Sequence, residues 1–193
     1  MQNNSGKTRA LTGVAIITAI VIVLQLIGGG IRLGTFSVSL VLVPIVIGAA
    51  MYGAWAGAWL GLVFGVVVLL TGDAAAFLGV NALGTILTVL VKGTAAGLCA
   101  GLVYHALERK NRYVAVIAAA VVCPVVNTGL FLIGCELFFM DTIRGWGAAL
   151  GFESVGAYMI GGLVGLNFVF ELVVNVVLGP VIVRLINAGK KGQ

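Results

Sequence analysis

Lys92 and Glu171 stand deep inside long apolar runs of this chain. Ionisable groups held within a membrane segment are costly and tend to line ion or substrate paths. Neither residue stands alone. Asn81, Thr85, Thr88 and Lys92 follow at spacings of 4, 3 and 4, which places them on one helical face. Asn167, Glu171 and Asn175 repeat at spacings of 4 and 4. Asn127 comes one turn after Pro124. Such stripes cannot face hydrocarbon, where each unsatisfied polar group costs several kcal/mol, so they must turn toward one another. Two arrangements follow. One is a buried Lys92–Glu171 ion pair with asparagines joining the helices. The other is a polar cavity, open outward, that holds a small ligand. The two overlap, because an unloaded site can hold that same pair. Glu136, nearer a segment end, reaches the interface.

The remaining chemistry is sparse. There is no P-loop, nucleophile elbow, carboxylate dyad or metal-type His or Cys cluster. Nothing here binds ATP, a metal or a cofactor, so no enzyme is expected, and any uphill transport draws on a partner or an ion gradient. Cys99, Cys123 and Cys135 lie in apolar runs without paired spacing and read as buried thiols. His105, beside the charged ERKNR stretch, reads as an interface residue rather than a ligand. Trp55 and Trp59 suit headgroup anchoring. Trp146, flanked by glycines in the stretch from Asp141 to Ser154, either closes over a ligand or rests on headgroups.

The elements that position these residues follow from composition. Of the 193 residues, 61% are hydrophobic and 9% charged, with a mean hydropathy of +1.20. Soluble domains carry about 25% charged residues. This is therefore an all-α, polytopic membrane protein forming a single helical bundle. Spans are expected at roughly 11–27, 38–52, 54–70, 81–107, 113–140 and 156–186. The first reads as a retained helix rather than a cleaved signal. Six crossings put both termini on one side, with Lys7, Arg9, Arg109, Lys110, Arg112, Arg184, Lys190 and Lys191. The opposite side holds only Arg32 and Arg144 among cations, with Asp73, Asp141 and Glu153. By the positive-inside tendency the termini are cytoplasmic. The net charge of +5 thus concerns orientation and not nucleic acid. No two-half repeat is visible.

Gly53, Gly57, Gly61 and Gly65 recur every 4 residues, a smooth stripe along one helix. Each such glycine costs about 0.8–1.0 kcal/mol against Ala in a soluble helix. In lipid, small residues at this spacing let backbones approach and drive association. Ala15 and Ala19 form a second small-residue pair, near the start of the first span.

Several features together resemble one family. They are six short apolar segments in under 200 residues, alanines four apart in the first helix, and the run P-x3-G-x4-G-x3-G-x3-G from Pro44 through Gly61. The chain resembles the substrate-binding S component of an energy-coupling factor (ECF) vitamin transporter. It departs at Ala54, where many members carry proline, which bears on the kink between the second and third spans. The resemblance implies a vitamin captured from outside between helices four to six under external loops. It implies docking on a transmembrane coupling subunit through Ala15 and Ala19. Two cytoplasmic ATPases would power toppling of the component, in a prokaryotic plasma membrane.

Candidate substrate-binding residues are Arg32, Asn81, Thr85, Thr88, Lys92, Asn127, Trp146, Asn167 and Glu171. Lys92, with Arg32, points to an anionic group, and the amides and hydroxyls point to amide or hydroxyl partners. Pantothenate fits this description. Riboflavin calls for more aromatic contacts, which Phe77, Phe131, Phe138 and Trp146 could supply. Biotin, lipoate, folate and thiamine stay open. A different class, a stand-alone channel or ion-coupled transporter titrating Glu171, is separated by co-purification of a ligand and of coupling subunits.

Overall fold

The computed structural model describes residues 3–28, 32–33, 36–37 and 40–191. Helix α1 spans Asn3–Gly28, α2 Leu42–Tyr52, α3 Ala54–Thr71, α4 Ala75–Leu78, α5 Ala82–Leu107 and α6 Arg112–Phe138. Then come α7 (Met140–Ala149), α8 (Val155–Ala157), a π-helical stretch (Tyr158–Gly165), α9 (Leu166–Val177) and α10 (Gly179–Lys191). A short antiparallel ribbon pairs β1 (Arg32–Leu33) with β2 (Phe36–Ser37) between α1 and α2.

Among the described residues, four helices are long and apolar enough to cross a membrane: Gly6–Gly28 within α1, Ala54–Thr71, Ala82–Leu107 and Arg112–Phe138. A fifth candidate is the pair Val155–Gly165 and Asn167–Val177, bent by 43°. The sequence suggested one continuous helix over 156–186; the chain instead carries a π-helical stretch through Gly161, Gly162 and Gly165, and turns again at Leu178. Glycines without side chains to pack make such irregular winding cheap. At 11 residues α2 is short for a span; at 1.5 Å per residue it reaches about 16 Å. The expected start of that segment, Val38 and Ser39, lies outside the described residues.

The glycine ladder meets a second ladder that the sequence reading did not single out, Gly93, Gly97 and Gly101 on α5. A methyl group on Gly61 would overlap the carbonyl oxygen of Gly93, and one on Gly57 that of Gly97. On Gly65 it would come within 2.9 Å of the Val89 oxygen. The pairings run in opposite directions, so α3 and α5 are antiparallel and nearly in backbone contact. Close approach of this kind maximises van der Waals packing where no hydrophobic force operates between helices. Gly53, with φ 101°, sets the break between α2 and α3, a conformation that a Cβ would strain.

α1 and α3 run parallel. Gly13 abuts Tyr52, the Trp59 indole donates to the Thr18 hydroxyl at 3.3 Å, and Gln25 meets Asp73 just beyond α3. Between these parallel neighbours α2 returns through the bundle, packing on α3, α5, α6 and α10. On the other flank α6 packs against α5 and α9. The core joins Leu42, Ile45 and Val46 of α2 to Leu60 and Phe64 of α3, Ala96 and Ala100 of α5, and Ile182 and Ile186 of α10.

Candidate substrate-binding site

A cavity of about 90 Å³ lies at the end of the bundle where α3 stops and α5 begins. Its walls come from several elements. α5 supplies Thr85, Thr88 and Lys92; α6 supplies Asn127, Thr128 and Phe131; and the bent last span supplies Leu163, Val164, Asn167, Phe168 and Glu171. Gln25 of α1, Phe64 and Val68 of α3, and Asp73, Ala74 and Phe77 complete it with Phe139. Six candidates from the sequence thus converge: Thr85, Thr88, Lys92, Asn127, Asn167 and Glu171. Thr85, Thr88 and Lys92 share a wall because α5 has little freedom to rotate. Its glycine face is fixed against α3, and Thr88 fills the space over Gly134 of α6.

Two candidates stand elsewhere, and the side chain of a third lies outside what is described. Asn81 caps α5, its side-chain oxygen accepting from the Gly84 amide at 2.9 Å. Trp146 belongs to helix α7, not to an open loop; it packs edge-on against Phe77 with centroids 5.4 Å apart, behind the cavity wall. Arg32 lies in β1, and its side chain is outside what is described.

The charges are arranged differently from a simple pair. Ion pairs within 4.0 Å include His105–Glu108 and Arg144–Asp141. Lys92 and Glu171 share the cavity without that contact. The Lys92 ammonium sits over the rings of Phe131, 5.1 Å from the centroid, and Phe64, at 5.9 Å. Glu171 accepts from the Asn167 amide at 3.3 Å. Asn175 donates to the Glu171 backbone oxygen at 2.8 Å and braces the helix. Thr85 likewise donates to its own helix, at the Asn81 oxygen, 2.8 Å away. By contrast the Thr88 hydroxyl and the side-chain oxygens of Gln25, Asn127 and Asn167 are buried without a protein partner. Buried polar atoms in folded proteins are nearly always bonded, so four such atoms around one cavity mark a surface suited to a polar ligand.

Two further residues were not singled out as site residues from sequence. Asp73 read as an external loop charge, but Gly72, left-handed at φ 79°, turns the chain so that Asp73 enters the cavity wall. Gln25 is a lone amide in an apolar run, the same signal that exposed Lys92, and it is only 2% exposed. An aromatic cluster joins the wall on the α7 side. Phe77 contacts Phe131, Phe139 and Trp146 edge-to-face at 5.6, 5.0 and 5.4 Å.

Elsewhere, His105 bridges Glu108 at 2.9 Å and the Ala49 carbonyl at 3.2 Å, a structural link between α5 and α2. Ala15 and Ala19 are both exposed, on the side of α1 away from buried Ile17, Val21 and Gln25.

A sequence profile described as "ECF transporter, substrate-specific component" matches residues 9–183. The chain belongs to that family. Its members are transporter subunits rather than enzymes; they bind a small vitamin and associate with an ECF module. The structure of ThiT from Listeria monocytogenes resembles this chain with a TM-score of 0.67, covering 96% of this chain and 97% of that one. At 21% identity the likeness is one of fold. No curated protein matches by sequence. The chain is accordingly a multi-pass, helical membrane subunit.

Proposed function

We propose that this S component captures a small water-soluble vitamin at the Lys92–Glu171 cavity for uptake across a prokaryotic plasma membrane. The observation that carries the reading is the set of buried, unpartnered polar atoms around one cavity between α5, α6 and α9. The carrier works with a transmembrane coupling subunit and two cytoplasmic ATPases. The exposed Ala15–Ala19 face of α1 supports a docking role, because small side chains let a partner helix approach closely. Six crossings with cytoplasmic termini complete the proposal. Parallel α1 and α3 require the chain to return between them, and α2 is the element that does so despite its length.

For the substrate, pantothenate or another small anionic vitamin is the leading reading. Lys92 is a cation facing the cavity without a carboxylate within ion-pair distance, and the amide and hydroxyl oxygens suit a hydroxyl- and amide-bearing acid. A specific observation favours a second reading. Among the described residues, two carboxylates, Asp73 and Glu171, share the cavity with one ammonium, and five phenylalanines line the same space. That combination suits a cationic ring compound such as thiamine. Native mass spectrometry of the purified subunit, followed by calorimetric titration with pantothenate, thiamine and riboflavin, tests the proposal. Nanomolar binding of one vitamin and pull-down of coupling subunits are expected. Ion conductance with neither property would replace it with a stand-alone channel.

A further inference from the structure

Gln25 and Asp73 lie on the cavity wall contributed by α1 and the turn after α3, apart from the stripes on α5, α6 and α9. The Gln25 Nε2 donates to Asp73 Oδ2 at 2.6 Å, and the Thr71 hydroxyl donates to the same oxygen at 3.3 Å. A carboxylate only accepts. The bond therefore fixes which end of the Gln25 amide faces Asp73, an orientation that is otherwise ambiguous for this side chain. The Oε1 is left as the end not used by Asp73, and it is buried without a protein partner in a residue 2% exposed. Gln25 is itself a cavity-lining residue.

We propose that Gln25 is a specificity-determining residue whose Oε1, held in place by Asp73, accepts a hydrogen bond from an N–H or O–H group of the substrate. Asp73 acts through Gln25 as a positioning residue. Lys92 lies about two helical turns further along α5 than Thr85, roughly 10 Å at 1.5 Å per residue. Thr85 belongs to the same end of the bundle as Gln25. The site thus reads a molecule at two separated points, with a fixed acceptor near the α5 N-terminus and an ammonium deeper in. Because α1 also carries the exposed alanine face, this contact joins the bound molecule directly to that helix. The inference rests on the vitamin-binding reading above.

Calorimetry with pantothenate and thiamine as probes tests it on the full chain. Four proteins are compared: wild type, Gln25→Met, Asp73→Asn and the Gln25→Met/Asp73→Asn double variant. Methionine keeps the length of glutamine without the acceptor. Asparagine keeps the shape of aspartate but lets the Gln25 amide take either orientation. Each single change is expected to weaken the tighter-binding probe about 5- to 100-fold, because a buried donor on the ligand is left unpaired. The double variant is expected to bind like Gln25→Met alone, a non-additivity that independent structural damage would not produce. Wild-type affinity in monodisperse Gln25→Met, with the Lys92→Met/Glu171→Gln variant weakened, would overturn this inference and leave the vitamin site standing. If Gln25→Met is not monodisperse, Asp73→Asn decides, and unchanged affinity there overturns it. Failure of wild type to bind either probe or any co-purified small molecule would overturn the vitamin reading and this inference together.

Discussion

The sign of two single-charge changes separates the competing substrate readings. Lys92→Met removes the ammonium and keeps most of its length. The structure explains why this variant should fold. The ammonium is held over the faces of Phe131 and Phe64 rather than in a short ion pair, and a thioether also packs well against aromatic rings. A cation–π contact contributes about 0.5–2 kcal/mol, of which the sulfur recovers part. Glu171→Gln keeps the shape of the carboxylate and its ability to accept from Asn167. For an anionic vitamin, Lys92→Met removes a charge-assisted hydrogen bond of about 1.5–3 kcal/mol. At 1.4 kcal/mol per decade, affinity falls about 10- to 150-fold. Glu171→Gln then leaves affinity unchanged or raises it, since a like charge is removed. For a cationic vitamin both signs reverse. Calorimetry on monodisperse protein, with pantothenate and thiamine, measures the singles and the double. Wild-type affinity for the preferred probe in both single variants, as well as in the double, would falsify any ligand contact at either residue and leave both as structural.

Other outcomes are expected as follows. Ala15→Trp or Ala19→Trp should leave vitamin binding intact but abolish uptake in cells carrying the full complex; lost binding with intact assembly would mean internal packing instead. Gly61→Ala should lower the melting temperature in detergent, because its methyl group meets the Gly93 backbone and overpacking costs about 1–3 kcal/mol. Gly129→Ala has no neighbour within 4 Å and should be neutral or mildly stabilising, so equal behaviour of the two would refute the ladder argument. Cysteine labelling at Ser5 and Asn111 should report the cytoplasm and at exposed Ala76 and Gly145 the exterior; external labelling at position 111 would overturn the proposed topology.

What the sequence revealed follows from which forces act along one helix and which act between distant segments. The stripes Thr85–Thr88–Lys92 and Asn167–Glu171 were legible because helical spacing alone assigns a face, and lipid forbids polar faces from pointing outward. The glycine ladder of α3 was legible for the same reason. Its partner on α5 follows the same rule, Gly93, Gly97 and Gly101 being four apart, but lies beside the polar stripe that drew the reading. Trp146 was misplaced because Asp141–Ser154 looks like a loop in composition. Residues Met140–Ala149 instead form a helix that buries Ile143 and Gly147 against the π-helical stretch. Asp73 lay beyond reach because its direction depends on the left-handed Gly72, and a glycine's conformation is not written in spacing.

These two ladders also explain why a charged cavity is compatible with so apolar a chain. Lys92 is the immediate neighbour of Gly93, which lies against the backbone of Gly61. Rotating α5 so that Lys92 leaves the cavity would drive Gly93 and Gly97 off α3 and put larger side chains into a gap with no room for a methyl group. The backbone contact therefore holds the lysine inward against the cost of desolvating it. A core of Leu and Val with ordinary spacing could accommodate rotation by repacking; glycine against glycine has no side chain to repack. Orientation of the cavity-lining residues thus depends on interhelix geometry set well away from the cavity. By that reasoning, a ladder change such as Gly97→Ala should weaken vitamin affinity along with stability, even though Gly97 is not part of the cavity wall. Loss of stability with fully retained affinity would show that α5 keeps its rotation without the ladder.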